Sequence, residues 1–158
     1  MANLEQIEKH LQKLSLPYKV IDLGAEVFTV EGVKDAGVNE DQIVKTLIIS
    51  TSQRFVALAV RGKDRLDFRK VRKLFGSKSE LAKADEVFEV CGVPVGAVCP
   101  ILLDIPVYFD EKVMDLGHIN MGSGDLTKGL EMEFSDLLKA VGKYQVEDLI
   151  KIPTQIKL

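Results

Sequence analysis

The residues Val44-Lys-Thr-Leu-Ile-Ile-Ser50 and Phe55-Val-Ala-Leu-Ala-Val60 form two apolar runs separated only by Thr51-Ser-Gln-Arg54. β-branched residues dominate the first run, and short apolar runs bounded by polar residues read as strands. So short a connection makes the pair a hairpin. Arg61-Gly-Lys-Asp64 is then a turn, and Asp67 caps a helix over Phe68–Phe75, stopped by Gly76. Phe68, Val71, Leu74 and Phe75 form its expected buried side. Upstream, Leu4, Ile7, Leu11 and Leu14 fall at helical spacing behind Asn3 as N-cap, and Pro17 closes that helix. Tyr18–Leu23 is a short strand, and Val30–Gly37 a short helix or turn. Downstream, Glu80–Phe88 is expected to be helical, with Leu81 and Ala84 inward. Leu102–Tyr108 is a strand that Pro106 would place near an edge, and Val113–Met114 and His118–Met121 are further short strands. Leu130–Phe134 alternates with period two. Ser135 caps a helix through Ala140, Val146–Ile150 forms a turn, and Ile152–Leu158 is a tail or an added edge strand. Irregular interleaving with recurring hairpins predicts one α+β domain, residues 1–158, with a mixed, mostly antiparallel sheet.

The chain has 158 residues, 46% hydrophobic and 28% charged, a globular composition large enough for its own core. No run approaches the ~20 apolar residues of a membrane span, and Glu5, Glu8, Lys9 and His10 interrupt any leader-like start. Cys91 and Cys99 with His10 and His118 make neither a disulfide framework nor a recognisable metal site. No cofactor is expected, and a reducing, cytoplasmic setting fits. The net charge of −3 argues against an indiscriminate nucleic-acid binder. From Arg61 to Lys83, however, nine Lys or Arg face three acids.

Cys91-Gly-Val-Pro-Val-Gly-Ala-Val-Cys-Pro-Ile-Leu-Leu103 is apolar yet punctuated by Gly92, Pro94, Gly96 and Pro100. It reads either as a core strand and turn or as a rigid loop offering backbone N–H groups to a ligand. Within it, Cys99 is a nucleophile or, with no histidine to activate it, a small buried hydrophobe. Lys45 lies among Ile43, Val44, Leu47, Ile48 and Ile49. Its ammonium either escapes at the strand end or serves a phosphate or an oxyanion at an apolar rim. Asn120-Met-Gly-Ser-Gly-Asp125 is a polar turn or a source of amide and hydroxyl groups facing that loop. Arg69-Lys-Val-Arg-Lys73 is a solvated face or a phosphate-binding patch. His118 reads as a strand residue. No Gly-x-Ser-x-Gly elbow, Walker loop or His-Glu-x-x-His occurs.

Four strings in order, Asp41-Gln-Ile-Val-Lys45-Thr-Leu-Ile, Gly92-x-x-x-Gly96-Ala-Val-Cys-Pro100, Asn120-x-Gly122 and Phe134-Ser-Asp136-Leu-Leu, resemble the YbaK-like family. These are free-standing relatives of the editing domain inserted in bacterial prolyl-tRNA synthetases, and the resemblance runs from about Leu4 to Leu138. It implies a partly barrel-like sheet flanked by helices. It also implies a trans-editing hydrolase that removes a small wrong amino acid from tRNA-Pro or a related tRNA, without metal or covalent intermediate. Lys45, Gly96 and Pro100 would form the catalytic set, with the lysine anchoring the substrate's terminal adenosine. Ala97, Val98, Cys99, Asn120, Gly122 and Ser123 would contact the substrate, and Arg69, Lys70, Arg72 and Lys73 the tRNA backbone. The partner is the aminoacyl-tRNA 3′ end, with a synthetase as a second candidate. Residues 122–129 match no substrate-specific subgroup, which leaves the amino acid open. A non-catalytic module for a tRNA end or a synthetase is the alternative, and hydrolysis of a small non-tRNA ester or amide a third reading.

Overall fold

The computed structural model describes residues 3–152. Asn3 opens α1 (Leu4–Lys13) with a reciprocal cap: its side chain accepts from the Gln6 N–H, and the Gln6 side chain accepts from the Asn3 N–H. β1 (Lys19–Asp22) and α2 (Val30–Asp35) follow, the latter capped by Thr29. A 3-10 turn over Glu40–Gln42 leads into β2 (Val44–Ser50) and β3 (Phe55–Arg61). α3 (Phe68–Phe75) starts where the Asp67 carboxylate accepts from the Arg69 N–H. β4 (Glu80–Leu81), α4 (Ala84–Cys91), β5 (Val107–Asp110), β6 (His118–Gly122), β7 (Lys128–Glu133), α5 (Phe134–Val141) and β8 (Gln145–Glu147) complete the order.

The fold is a mixed α+β domain built on two open sheets. One has strand order β1-β7-β6 and is antiparallel throughout; the other has order β4-β2-β3-β5-β8. The β2–β3 hairpin is in register from Val44↔Arg61 to Ser50↔Phe55. β3–β5 and β5–β8 are parallel. A single parallel bridge, Ile43↔Asn120, joins the sheets, so the barrel-like resemblance stops short of closure.

Strand alternation divides the core into two layers. Val44, Ile48, Ala57, Ala59, Val107 and Phe109 face α1, α4 and α5. Ile49, Val56, Leu58, Val60 and Tyr108 face Val71 of α3. Phe109 packs edge-on against Phe134 and Tyr144, with ring centroids 5.5 Å apart in each pair. The buried Asp110 carboxylate accepts from the Lys112 and Leu149 N–H groups (2.9 and 2.8 Å), tying the end of β5 to the chain beyond β8.

Several sequence expectations are corrected. Leu74 is exposed, because the buried face of α3 centres on Val71. Glu80 and Leu81 pair with β2 instead of starting a helix; α4 begins later and turns Val87 and Cys91 inward, with Leu81 and Ala84 exposed. The strand expected from Leu102 begins at Val107, since Leu102 sits at φ +62° and the chain turns there. Pro106 marks no edge: its carbonyl accepts from the Ala57 N–H, and β5 lies between β3 and β8. Val113–Met114 belongs to a 3-10 turn over Glu111–Asp115. α5 starts at Phe134 behind Glu133, not at a Ser135 cap, and the turn expected at Val146 is strand β8. The tail expected from Ile152 falls, from residue 153 on, outside the described residues.

Candidate functional site

β2 is bonded to β3 along one whole side. On its other side β4 covers only Ile49 and Ser50, and β6 meets it only at Ile43. The stretch between, Val44 to Leu47, opens into a cleft of about 250 Å³. At this edge the Ile48 carbonyl accepts from the Ala82 N–H (2.9 Å). Lateral bonding groups alternate along a strand, so the Thr46 N–H and C=O point the same way, into the cleft. The Thr46 Oγ1 is buried with no partner among the described residues. Walls from Val27, Val30, Val44, Ile48, Val87 and Met121 are apolar, while Lys45, Thr46, Asn120, Asp125 and Lys128 bring polarity.

The Gly/Pro segment forms the facing lip. Gly96 has φ +92°, and a Cβ there would lie 2.7 Å from the Phe28 carbonyl oxygen. Below the segment, a Cβ on Gly122 would meet the Val98 carbonyl oxygen at 2.5 Å. Both glycines are required by close backbone approach. The segment is fastened by Ala97 N–H to Pro94 O (3.0 Å) and Gly124 N–H to Ala97 O (2.7 Å). The N–H groups of Gly96 and Val98, both cleft-lining residues, find no acceptor among the described residues. Such a rigid loop with free donors can hold a developing oxyanion.

Lys45 is half-buried at one end of this cleft. Its Nζ donates to the carbonyl oxygens of Gly62 (3.2 Å) and Asp64 (2.5 Å). Burial holds its pKa below the ordinary lysine value, with the nearby Arg65 adding to the effect and the Asp64 carboxylate opposing it. The Asp64 carboxylate is itself taken up by Arg61, at 2.6 and 3.1 Å. Across the cleft, the Thr127 hydroxyl and N–H donate to the Asp125 carboxylate (2.7 and 2.8 Å) and hold its pKa low. Among the described residues no group of three or more His, Cys, Asp or Glu side chains is arranged to hold a metal ion.

Comparison with known proteins identifies the scaffold. The model of the aminoacyl-tRNA editing domain matches residues 25–140. The chain belongs to the aminoacyl-tRNA editing domain family. Relatives include a proline–tRNA ligase of Caldicellulosiruptor bescii, 35% identical over 94 residues, or 59% of this chain. A proline–tRNA ligase of Staphylococcus aureus is 29% identical over 132 residues, or 78% of this chain. The matches span only 16% and 23% of those ligases. Among solved structures, a hypothetical protein superposes with TM-score 0.80 at 29% identity, covering 92% of this chain and 99% of its own. A candidate trans-editing enzyme for prolyl tRNA synthetase gives 0.79 at 27% identity, covering 94% and 96%.

Within this editing-domain scaffold, Lys45, Gly96, Val98, Asn120 and Gly122 line one cleft. Ala97, Cys99 and Ser123 do not reach it. Ala97 and Cys99 pack into the core, and the Cys99 thiol is pushed up to about 12 by burial, which leaves it inert. The Ser123 hydroxyl is turned inward, donating toward the carbonyls of Asp125 and Lys128 (3.1 and 2.8 Å). Pro100 lies beyond the lip and lines a separate groove with His10, Tyr108 and Tyr144. Arg69, Lys70, Arg72 and Lys73 sit on α3, which packs against the opposite layer of the five-stranded sheet. Sequence reasoning missed the residue 23–33 wall and Lys128, and it read the stretch ending at Asp125 for its amide and hydroxyl groups, not for this carboxylate. The signal available was the short apolar run Val27-Phe28-Thr29-Val30, whose Phe28 is 54% exposed at the cleft.

Proposed function

We propose that this chain is a trans-acting deacylase that hydrolyses a small amino acid ester at the 3′ end of tRNA-Pro or a related tRNA. The carrying observation is that one apolar cleft beside the open edge of β2 is lined by Lys45, by Asn120, and by Gly96 and Val98, whose N–H groups are unbonded among the described residues. An aminoacyl ester is already activated, so orientation and oxyanion donors supply most of what hydrolysis needs. Water adds to the ester carbonyl carbon, and the negative charge that develops on oxygen is received by the lip N–H groups. Each such donor is worth about 2.7–4 kcal/mol. Collapse of the tetrahedral species breaks the acyl–oxygen bond, and the ribose oxygen leaves with a proton.

Lys45 is suited to the terminal phosphate because its carbonyl partners leave the positive charge intact. The apolar walls exclude a large side chain by size, but discriminate between small ones by only ~1–3 kcal/mol per methylene. Gly96, Val98 and Lys45 thus divide the work between carbonyl and phosphate. The test is a panel of mischarged tRNAs, following loss of the amino acid with wild type and Lys45→Ala. Turnover that depends on Lys45 supports the reading. Turnover untouched by Lys45→Ala removes Lys45 from the site, and binding without turnover converts the protein into a recognition module.

A further inference from the structure

Asn120 is 2% exposed and lines the cleft, yet its amide is only half used. Its Nδ2 donates to Glu131 Oε2 at 2.9 Å across the β6–β7 pair. Its Oδ1 takes no hydrogen bond from any described residue and is not among the atoms sealed in the core without a partner. The orientation is dictated by chemistry: a carboxylate only accepts, so the amide turns NH2 toward Glu131 and leaves its oxygen as the unbonded atom beside the cleft-lining Gly129. Gly129 makes room, since a Cβ there would lie 3.1 Å from both amide atoms. Glu131 is held in turn. Its Oε1 lies 3.3 Å from His118 Nε2, and His118 Nδ1 lies 3.3 Å from Glu133 Oε1. Lys19 of β1 is the register partner of Glu131 on the far side.

A lone acceptor backed by a carboxylate suits a charged donor better than a neutral one. Asp125 lines the same wall, and the neighbouring cation Lys128 is drawn to Asp22 at 3.4 Å. We propose that Glu131 is a positioning residue that locks Asn120 Oδ1 toward the cleft, where it accepts from the α-ammonium group of the aminoacyl ester. This rests on the deacylase reading of the same cleft and adds which end of the amino acid the β6 wall recognises.

The probe is 3′-alanylamino-3′-deoxyadenosine, whose amide link resists hydrolysis, compared with its N-acetyl form. Binding is measured by calorimetry at about pH 6.5, below the free α-amino pKa of ~7.7–8.0. Wild type should prefer the free amine by about tenfold; Asn120→Leu should erase that preference, and Glu131→Gln, whose own NH2 can turn toward Asn120 and release the lock, should shrink it, with the loss falling on the free amine. Glu131→Gln keeps size and shape, so a folding defect does not confuse the result. Equal wild-type binding of both forms overturns the proposal, as does a Glu131→Gln loss shared by both. The readout is independent of turnover. Amine preference without hydrolysis of any charged tRNA sinks the deacylase reading alone, and hydrolysis without amine preference sinks this one alone.

Discussion

Lys45 and Lys70 are both partly buried and both bonded, but their partners differ in kind. Lys70 lies 2.9 Å from the Asp148 carboxylate and donates to the Ile150 carbonyl (2.7 Å); its pKa is raised, chiefly through Asp148. Lys45 meets only neutral carbonyls at contact distance, and burial lowers its pKa. A carboxylate cancels the charge of its partner, whereas carbonyl dipoles orient an ammonium and leave its charge available. The cation-rich helix α3 is therefore a weaker claimant for a phosphate than one lysine at the end of a cleft. Arg72 is engaged differently: its Nε donates to the Ser79 carbonyl (3.3 Å) and its guanidinium lies over the Phe68 ring, contacts that hold the side chain in place without cancelling its charge.

The contrast breaks outright if Lys45→Ala leaves turnover intact. We expect a loss of more than about 100-fold, the scale of removing a preorganised electrostatic contact, with little change in Tm. The lowered pKa adds a pH signature. Between the depressed value and the ordinary 10.5, the native chain releases a proton that the unfolded chain keeps. Stability then rises with pH across that window while affinity for a phosphate-bearing ligand falls. Calorimetry with the amide-linked adenosine carrying a 5′-phosphate checks this without interference from ester breakdown. Affinity that stays flat up to the ordinary lysine value removes Lys45 from the phosphate.

That distinction was invisible in the sequence, and the reason is physical. Short apolar runs and β-branched content made β2 and β3 legible, period-two alternation did so for β7, and Asn3 and Asp67 marked two helix starts, because each signal is local. The partner of a cation is not local: Lys70 finds Asp148, and Lys45 finds the turn at residues 62–64, only through tertiary packing. The same limit hid β8, whose pairing with β5 is parallel and long-range. It also misplaced Leu81, which bonds to an edge no sequence pattern declares. Lys45 and Gly96 could be singled out as residues out of keeping with their neighbours. Lys128 opens β7 behind an ordinary polar turn and carried no such mark, and Asp125 stood in a polar stretch read for its amide and hydroxyl groups.

Gly96→Ala should act next most strongly. The added Cβ would meet the Phe28 backbone at a φ that non-glycine residues avoid. A cost of about 1–3 kcal/mol in stability is expected from strain of this kind. Turnover should fall by about tenfold or more even at temperatures where the variant is fully folded, because the lip donors move. A thermal shift unaccompanied by slower hydrolysis would mean that the lip is structural only.

The α3 surface gives a smaller and more divisible effect. If it meets a tRNA backbone, Arg69 and Lys73, which have no ion-pair partner among the described residues, should carry it. Replacing both by alanine would lower the slope of log affinity against log salt by about 0.7–0.9 for each phosphate no longer neutralised. Lys70→Met should change the slope less and cost at most about 1 kcal/mol in stability, the upper range for an exposed pair. Equal slope changes from Lys70 and Arg69 would erase the distinction between engaged and free cations on which the comparison stands.

Cys99→Ala is expected to do least, and that is its use. The thiol lies within three residues of the lip, and a nucleophilic role would make its removal abolish turnover. Burial pushes its pKa up to about 12, so the thiolate is scarce at neutral pH, and the side chain points into the core and not the cleft. Removing one buried heavy atom should cost about 1 kcal/mol of stability, mostly through poorer packing. Hydrolysis should stay within about twofold of wild type once both proteins are compared fully folded, a difference worth well under 1 kcal/mol. A loss comparable to that of Lys45→Ala would place covalent chemistry at the lip and displace backbone donors from the centre of the mechanism.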